Sequence, residues 1–446
     1  MRRLRGSLVV AAHLRGQRRA PFLPRAHIEA RRDRAVRRVV AYAAHTVPYY
    51  RELFRRERID PRGIRGAADL DALPLLDPRA VREDPGRYTS DSRRARGSLT
   101  FRSGSVVRPL ELRHDPRSLL ANIAYGERER APVVELCGGA LRPRELHIGY
   151  ENSNFRQVLD FYATHTRLPR PRREQLSMSA SFDEVVAAIN RVRPELLTAY
   201  GGFLDAFFRT LTARRIEIHP PRVVMYVGET LPAERRDWIE QELGARVMSR
   251  YCATETFKIG YFCEERTGFH LHDDLCHVRI VRPDGSDAPP GRQGEVVISN
   301  LVNHGTVLLN YPMGDLATLR DEACSCGRRH RLLSELHGRV EDLLRLANGE
   351  HLHPRAVWSV FKDDRDVLQY QLVQHDLRRF ELKLVTTQED AFPQSRDRAV
   401  RELRRLLGED AQIETSLHAQ LGRDERQKTG KFRAVESRVA ATPRGG

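Results

Sequence analysis

The sequence predicts an α/β protein built from a large domain and a small one. The large N-terminal domain, residues 1–338, is expected to carry parallel or mixed sheets flanked by helices, and residues 339–446 to form a small, mobile α+β domain. Three observations support this. A chain of 446 residues is long enough for two to three domains. Between residues 182 and 249, short apolar runs alternate with helical patterns. After Gly338 that alternation stops.

The N-terminal elements are read in chain order. Residues 1–25 are rich in arginine and hold two prolines, which predicts a loosely held arm. From His27 to Arg58 apolar residues recur at helical spacing, with an interruption at residues 47–50. Residues 70–76 are a short connection. Residues 99–112 read as a strand, a turn of small residues and a second strand.

The middle of the chain predicts a largely parallel sheet. Helices are expected over 182–192, 202–213 and 232–243, and strands over 196–200, 222–226 and 246–249. Strands that feed helices in this way are typical of right-handed parallel crossovers. Further strands are expected over 278–281, 294–299, 343–346, 371–374 and 380–385, with a last helix over 396–407.

The charge balance first suggests a nucleic-acid binder. Lysine and arginine total 76 against 60 acidic residues, a net charge of +16. The basic residues are nearly all arginine, however, and they are interleaved with acids along the chain, as codon bias in a GC-rich genome would produce. We therefore expect no nucleic-acid partner, with a salt-sensitive DNA binder kept as a rival. Lysine occurs only at Lys258, Lys362, Lys383, Lys428 and Lys431.

Membrane insertion and secretion are not expected. No apolar run approaches the roughly 18 residues that a membrane helix needs. The apolar run Leu8–Leu14 is too short for a secretory signal and lacks a small-residue cleavage site. We therefore expect a cytoplasmic protein with no membrane partner.

The segment Ser103–Pro109 has the composition of a phosphate-binding loop. Small hydroxylated residues and a glycine let backbone N–H groups approach a polyphosphate, and Arg108 can neutralise its charge. The alternative is a simple hairpin turn.

Further motifs follow in the order that a nucleotide site would need. Tyr251–Glu255 comes after a predicted strand and offers an aromatic face for a purine and a carboxylate for Mg²⁺. Tyr311–Asp315 offers a loop carboxylate for ribose hydroxyls. Gly338–Asp342 places an arginine and two acids at the domain boundary, and Lys428–Lys431 puts rare lysines on a glycine turn. For each motif alone, the alternative is a solvated loop.

Taken together, these motifs resemble the adenylate-forming (acyl-CoA synthetase) superfamily, in its phenylacetate–CoA ligase branch. That family's Ser-Gly-Thr-Thr-Gly-Lys-Pro, Tyr-Gly-x-Thr-Glu, Tyr-x-x-x-Asp, Gly-Arg-x-Asp-Asp and Gly-Lys-x-x-Arg motifs are matched, with changes, at residues 103–109, 251–255, 311–315, 338–342 and 430–433. The stretches Thr46–Phe54 and Leu70–Leu76 are similar to two early features of the branch. The resemblance covers about residues 30 to 437.

The resemblance implies a role for each matched residue. The phosphates would be bound by Ser103, Gly104, Ser105 and Arg108, and the adenine by Gly228, Glu229 and a stacked Tyr251. Thr254 would contact the α-phosphate and Glu255 the Mg²⁺, while Asp315 and Arg339 would hold the ribose. Lys431, delivered by the small domain, would stabilise the transition state of adenylation, and Glu341 would be the hinge.

Two departures from the family pattern bear on turnover. The phosphate loop has Val107 where relatives have glycine, and a β-branched residue restricts the backbone. Arg108 stands where relatives have lysine. These changes leave open a slowed enzyme or a non-catalytic relative that binds nucleotide.

A second group of residues predicts a metal site. Relatives in this branch often show a cysteine, then Leu-His, then Cys-x-Cys-Gly-Arg, and this chain has Cys263, His270, Cys324 and Cys326. Three thiolates and an imidazole suit a closed, structural zinc site. His272 and His330 are rival ligands, and free thiols in a reduced cytosol are the alternative.

The predicted activity is that of an ATP-dependent acid ligase. It would form an acyl-adenylate, release pyrophosphate and pass the acyl group, expected to be an aryl group, to coenzyme A. A carrier-protein thiol or an amine, as in specialised bacterial metabolism, is the alternative acceptor. Tyr200, Gly201 and Phe257 are the candidate acid pocket, although a core role is open for them. The sequence leaves open whether the chain forms a homodimer.

Overall fold

The computed structural model describes residues 1–103, 109–151, 153–169, 171–334, 336–339, 343–421 and 432–439, with Arg355 described by its backbone only. Six predicted site features therefore lie outside the described residues. They are Gly104, Ser105, Val107, Arg108, Glu341 and Lys431.

The N-terminal region is helical from its start. Helix α1 spans Arg2–Leu14, α2 Arg25–Thr46, α3 Pro48–Arg56 and α4 Pro78–Glu83. The predicted interruption is confirmed, since α2 ends where Val47 precedes Pro48.

The prediction of a loosely held N-terminal arm is wrong. Val10 of α1 is buried with Leu119, Leu120 and Phe161 in one apolar cluster. Gly6 explains the close approach, because a Cβ at this position would lie 1.9 Å from the carbonyl oxygen of His165. The glycine in this arginine-rich segment thus permits helix packing.

Both strands predicted within residues 99–112 are present. Strands β1 (Leu99–Ser103) and β2 (Leu110–His114) pair antiparallel, from Leu99 opposite His114 to Ser103 opposite Leu110. Helix α5 (Pro116–Leu136) follows, and the Asp115 carboxylate caps its first turn by accepting from the N–H groups of Arg117 and Ser118.

The main sheet has a parallel half. In chain order its strands are β3 (Arg144–Gly149), β4 (Arg172–Ser177), β5 (Leu196–Tyr200), β6 (Val223–Val227) and β7 (Arg246–Tyr251). Helices α6 (Asn154–His165), α7 (Phe182–Val192), α8 (Gly201–Arg214) and α9 (Ala233–Leu243) connect them. Neighbouring strands of this half run parallel, as predicted.

The other half of the sheet is antiparallel. It contains β8 (Gly260–Phe262), β9 (Phe269–Leu271), β10 (Cys276–Val281), β11 (Gln293–Asn300), β12 (Tyr311–Arg320) and β13 (Leu332–Leu333). Across the 11 strands the described order is β10-β11-β12-β13-β9-β8-β7-β6-β5-β3-β4. The expected α/β fold with a mixed sheet flanked by helices is thereby confirmed.

The described residues between 344 and 437 contain a further sheet and a core of their own. The elements are β14 (Leu344–Arg345), β15 (His351–Leu352), α10 (Pro354–Phe361), β16 (Val367–Gln374), β17 (Arg379–Thr386), α11 (Phe392–Leu407), β18 (Gln412–Leu417) and β19 (Val435–Ser437). The sheet order is β18-β17-β16-β19. Its buried cluster, which includes Phe361, Phe380 and Leu403, is distinct from the core of the main sheet. Among the described helices, none combines the length and the apolar composition needed to cross a membrane.

Candidate functional site

A cleft of about 3680 Å³ lies between the main sheet and the C-terminal sheet. It lies beyond the carboxyl ends of parallel strands, where α/β sheets place their ligands. All the described residues predicted for the nucleotide and acid sites line this cleft. They are Ser103, Tyr200, Gly201, Gly228, Glu229, Tyr251, Thr254, Glu255, Phe257, Asp315 and Arg339.

Tyr251, Asp315 and Arg339 form a connected polar group on one wall. The Tyr251 hydroxyl donates to Asp315 Oδ2 at 2.5 Å, and Arg339 Nε donates to Asp315 Oδ1 at 3.1 Å. Burial and the Asp315 carboxylate raise the pKa of Tyr251 well above its usual value, so the phenol stays protonated. The expectation of a loop carboxylate is corrected, because Asp315 lies within β12 and directly follows Gly314, whose φ is +76°.

Thr254 and Glu255 are held by residues that the sequence did not single out. Asn154 Nδ2 donates to Thr254 Oγ1 at 3.0 Å, and Asn300 Nδ2 donates to the Glu255 carbonyl at 2.9 Å. Ser103 Oγ donates to Glu255 Oε1 at 3.3 Å, which places the start of the predicted phosphate loop beside the predicted Mg²⁺ ligand.

His114 holds the backbone of the Thr254–Glu255 segment. Its Nε2 lies 2.7 Å from the Thr254 carbonyl oxygen, and burial lowers the pKa of His114 to about 4. A carbonyl only accepts, so the neutral ring donates from Nε2. No local pattern marks His114, Asn154 or Asn300 as site residues, since their roles arise from long-range packing.

Glu229 links two distant parts of the chain. Its Oε2 accepts from the backbone N–H of Gly202 at 2.9 Å, and its Oε1 accepts from the N–H of Phe432 at 3.2 Å. The preceding Gly228 has a φ of +75°, a conformation that favours glycine. The residue predicted for the adenine site therefore also holds the segment next to Lys431.

The candidate acid-pocket residues line the cleft and also pack against neighbouring residues. Tyr200 packs edge-on against Tyr150, with ring centroids 5.5 Å apart. Phe257 packs at 5.1 Å from Phe101 and 4.3 Å from His114, and its φ is +61°. Gly201 is needed for close approach, because a Cβ there would lie 2.9 Å from the Thr230 carbonyl oxygen.

The predicted metal ligands come together in space. One ligand atom each from Cys263, His270, Cys324 and Cys326 lies within 4.8 Å of all the others. The Sγ atoms of Cys263 and Cys324 are 3.7 Å apart, and Cys326 Sγ is 3.3 Å from His270 Nε2. A tetrahedral zinc ion with ordinary bond lengths requires S···S edges of about 3.8 Å and S···N edges of about 3.6 Å. The donor set therefore fits such an ion.

The protonation states in this cluster also suit a cation. Burial and the neighbouring Arg328 lower the pKa of His270 to about 3, so the imidazole is neutral. Burial opposes ionisation of the thiols and raises the pKa of Cys263 and Cys326, while hydrogen bonds lower that of Cys324. A bound cation would supply the charge that favours the thiolates.

The two rival ligands lie outside this cluster. His272 Nε2 is 3.0 Å from Glu129 Oε1, and His330 is buried close to Asp273 and Asp274. Cys263 follows β8, His270 lies on β9, and Cys324 and Cys326 follow β12. The cluster thus connects the segment after Tyr251 with the segment after Asp315.

The sequence of this chain is similar to those of two phenylacetate–coenzyme A ligases. No family model matches the sequence. The phenylacetate–coenzyme A ligase of Thermus thermophilus is 27% identical over 79% of this chain and 79% of its own length. The phenylacetate–coenzyme A ligase of Aromatoleum evansii is 22% identical over 75% of each.

The structural neighbours show the same fold. A 2-hydroxyisobutyryl-CoA ligase in the postadenylation state superposes with a TM-score of 0.71 at 17% identity, over 94% of this chain and 91% of that one. The same ligase in the thioesterification state gives 0.58 at 18% identity, over 94% and 91%. The expected resemblance to the phenylacetate–CoA ligase branch, and the fold of the adenylate-forming superfamily, are thereby confirmed.

Proposed function

We propose that this chain is an ATP-dependent, AMP-forming carboxylic acid–CoA ligase. It joins a carboxylic acid, in our proposal an aryl acid, to AMP with release of pyrophosphate, and then passes the acyl group to coenzyme A. The observation that carries the proposal is the cleft that gathers Tyr251, Glu255, Asp315 and Arg339 from separate elements. The named activity of the curated relatives and the ligase fold of the structural neighbours support it.

The nucleotide roles follow from the groups that line the cleft. Asp315 and Arg339 hold the ribose hydroxyls, since the carboxylate accepts and the guanidinium fixes its orientation. Gly228 and Glu229 border the adenine, with Tyr251 beside it. Thr254 contacts the α-phosphate. Glu255 would hold Mg²⁺, which would neutralise phosphate charge, and Ser103, beside Glu255, would bind the phosphates together with Gly104, Ser105 and Arg108.

Lys431 is proposed as the cation of the adenylation step. Residues 339–446 would form a lid that turns about Glu341 and delivers this lysine to the carboxylate and the α-phosphate. The hydrogen bond from the Phe432 N–H to Glu229 supports the proposal, because Phe432, which follows Lys431 in the chain, lines the cleft.

A structural zinc ion is proposed for Cys263, His270, Cys324 and Cys326. The donor set and its spacings support zinc, and four protein ligands would leave no position for water. The ion would fix two walls of the nucleotide site by tying the segments that follow Tyr251 and Asp315.

The test is a product assay with the full-length protein. ATP, Mg²⁺, coenzyme A and single aryl or short-chain acids would be incubated with the protein, and AMP and acyl-CoA measured by mass spectrometry. The proposal predicts AMP and acyl-CoA in equal amounts with at least one acid. Acyl transfer only to a carrier-protein thiol or an amine would replace the acceptor. ATP binding without pyrophosphate formation by any acid would instead indicate a non-catalytic relative.

Because ATP and coenzyme A are intracellular, we also propose a cytoplasmic location for the protein.

A further inference from the structure

The cleft has a polar end that is separated from Thr254 by an apolar stretch of wall. Helix α6 begins with Asn154, whose amide binds Thr254, and Tyr162 lies two turns further, roughly 12 Å along the helix axis. Val158 stands between them on the same face, and all three line the cleft with Phe257. The cleft wall therefore changes from polar to apolar and back to polar.

The polar end surrounds a buried carboxylate. Glu129 of α5 is 2% exposed, and its Oε2 lies 2.9 Å from Lys258 Nζ and 3.5 Å from Arg250 Nε. Among the described residues, two cations thus face one carboxylate, and Glu129, Lys258 and Arg250 all line the cleft.

The neighbouring buried ion pair does not alter this balance. Arg128 is fully covered and is already matched by Asp274, with contacts of 2.6 Å and 3.0 Å to its two oxygens. The excess cation therefore stays on the cleft side of α5, where it can act as a hydrogen-bond donor.

Asn122 supplies a matching acceptor. Its side chain is 3% exposed and lines the cleft, and its Nδ2 donates to the Ser118 carbonyl at 3.0 Å. Its Oδ1 is buried and has no hydrogen-bond partner within the described part of the chain. A buried acceptor without a partner destabilises the free protein, so a ligand that donates a hydrogen bond to it gains affinity.

Helix geometry places the donor and the acceptor on the same side of α5. Asn122, Gly126 and Glu129 are spaced i, i+4 and i+7 and share one helix face. Gly126 lies next to the ammonium group, since a Cβ there would be 3.4 Å from Lys258 Nζ, an ordinary van der Waals contact. Burial and the nearby Glu129 carboxylate raise the pKa of Tyr162, which lies at the same end.

We infer that this polar end recognises a hydroxyl group on the far side of the carboxylic acid substrate, so that the substrate class is hydroxylated, and in particular phenolic, acids. A hydroxyl both donates and accepts, so it can donate to Asn122 Oδ1 and accept from Lys258. Its carboxyl group would lie at Thr254, with the apolar body against Val158 and Phe257. The inference rests on the proposed ligase function.

Two other substrate chemistries fit these groups less well. An unsubstituted aryl acid leaves the buried Asn122 Oδ1 without a hydrogen-bond partner. A second carboxylate would gain from the excess cation, but it would face the Asn122 oxygen and the Glu129 carboxylate, which are both acceptors.

The experiment compares matched acids. Acid-dependent pyrophosphate release would be measured for phenylacetate, cinnamate and benzoate, each beside its ring-hydroxylated counterpart. The inference predicts a kcat/KM at least tenfold higher for the hydroxylated member of the best pair. A tenfold preference is modest, because a site whose buried polar groups bind a substrate hydroxyl can reject the acid that lacks this hydroxyl by a much larger factor.

Substitutions then test which residues make the selection. In Asn122→Leu the ratio of kcat/KM between the hydroxylated and the plain acid should fall at least tenfold. Lys258→Met is compared with the double variant Lys258→Met/Glu129→Gln, which also removes the charge of the carboxylate that has lost its lysine. The ratio should fall in both variants. Glu127→Gln is the matched control on the outer face of α5, where Glu127 binds Arg18 and Arg130, and it should keep the ratio.

The outcomes separate this inference from the proposed function. Turnover of plain and hydroxylated acids at equal kcat/KM, or a ratio unchanged by Asn122→Leu, would overturn the inference and leave the ligase standing. A preference for dicarboxylic acids would also overturn it. If no acid releases pyrophosphate from folded protein, the ligase proposal itself fails. Thermal unfolding of each variant checks that it is folded.

Discussion

Removal of one partner from the buried pair of Arg128 and Asp274 should strongly destabilise the N-terminal region. Although burial opposes ionisation, the Arg128 guanidinium holds the pKa of Asp274 well below its usual range. Arg128 has no exposed side-chain surface, and its Nε also donates to Gln17 Oε1 at 2.7 Å. Asp274→Asn would leave this guanidinium buried without a full counter-charge. The expected loss in the free energy of unfolding is about 3–5 kcal/mol.

The assay is urea unfolding followed by tryptophan fluorescence, since the chain has two tryptophans and Trp238 packs against the core of the main sheet. The matched control is Glu52→Gln, which breaks the exposed Arg87–Glu52 pair, whose side chains are 47% and 48% exposed. This change should lower the free energy of unfolding by about 0–1 kcal/mol. Replacement of both partners, Arg128→Met with Asp274→Leu, should recover most of the loss, because no charge is left buried alone. An Asp274→Asn loss below 1 kcal/mol, equal to that of the control, would refute the reasoning.

Three further predictions follow from the site. Purified protein should contain about one zinc per chain by mass spectrometry; Cys324→Ser should lower this value and Cys137→Ser, at a buried thiol outside the cluster, should not. A zinc content near zero in wild-type protein would contradict the assignment. Glu229→Ala should lower kcat for adenylation by about 10–100-fold with an unchanged unfolding midpoint, because it releases the Phe432 N–H beside Lys431; an unchanged kcat would exclude a positioning role. Burial lowers the pKa of His114 to about 4. As the pH falls, this histidine is therefore protonated below about pH 6.5 in the unfolded chain, but only below about pH 4 in the folded protein. The free energy of unfolding should therefore fall with decreasing pH in this window, by up to about 1.4 kcal/mol per pH unit for this histidine. His114→Gln should reduce that slope, and an equal slope in both proteins would show that His114 titrates normally.

Local sequence was sufficient for β5, β6 and β7 in the parallel half of the sheet, but it did not predict β3 and β4. The strands at 196–200, 223–227 and 246–251 are almost entirely buried, and their apolar runs follow helices of the expected length. The grouping of Cys263, His270, Cys324 and Cys326 was also predictable, because their residue types and their order along the chain carry the signal.

Other features depend on contacts between distant residues and could not be predicted. The arginine and proline content of residues 1–25 predicts a loosely held arm, but the close approach of Gly6 to the His165 carbonyl oxygen shows why a helix packs there. Phe257 adopts a φ of +61° because it packs against Phe101 and His114, which lie more than 140 residues earlier. The two N–H groups that bind Glu229 likewise come from residues 202 and 432.

Acid-dependent ATP–pyrophosphate exchange tests the central claim most directly, with wild-type protein and Lys431→Ala compared over a panel of aryl and short-chain acids. The account predicts exchange with at least one acid, reduced at least 100-fold in Lys431→Ala while both proteins bind ATP. Absence of exchange with every acid, in folded protein that binds ATP, would contradict an adenylate-forming enzyme. Equal exchange in the variant would contradict the role of Lys431.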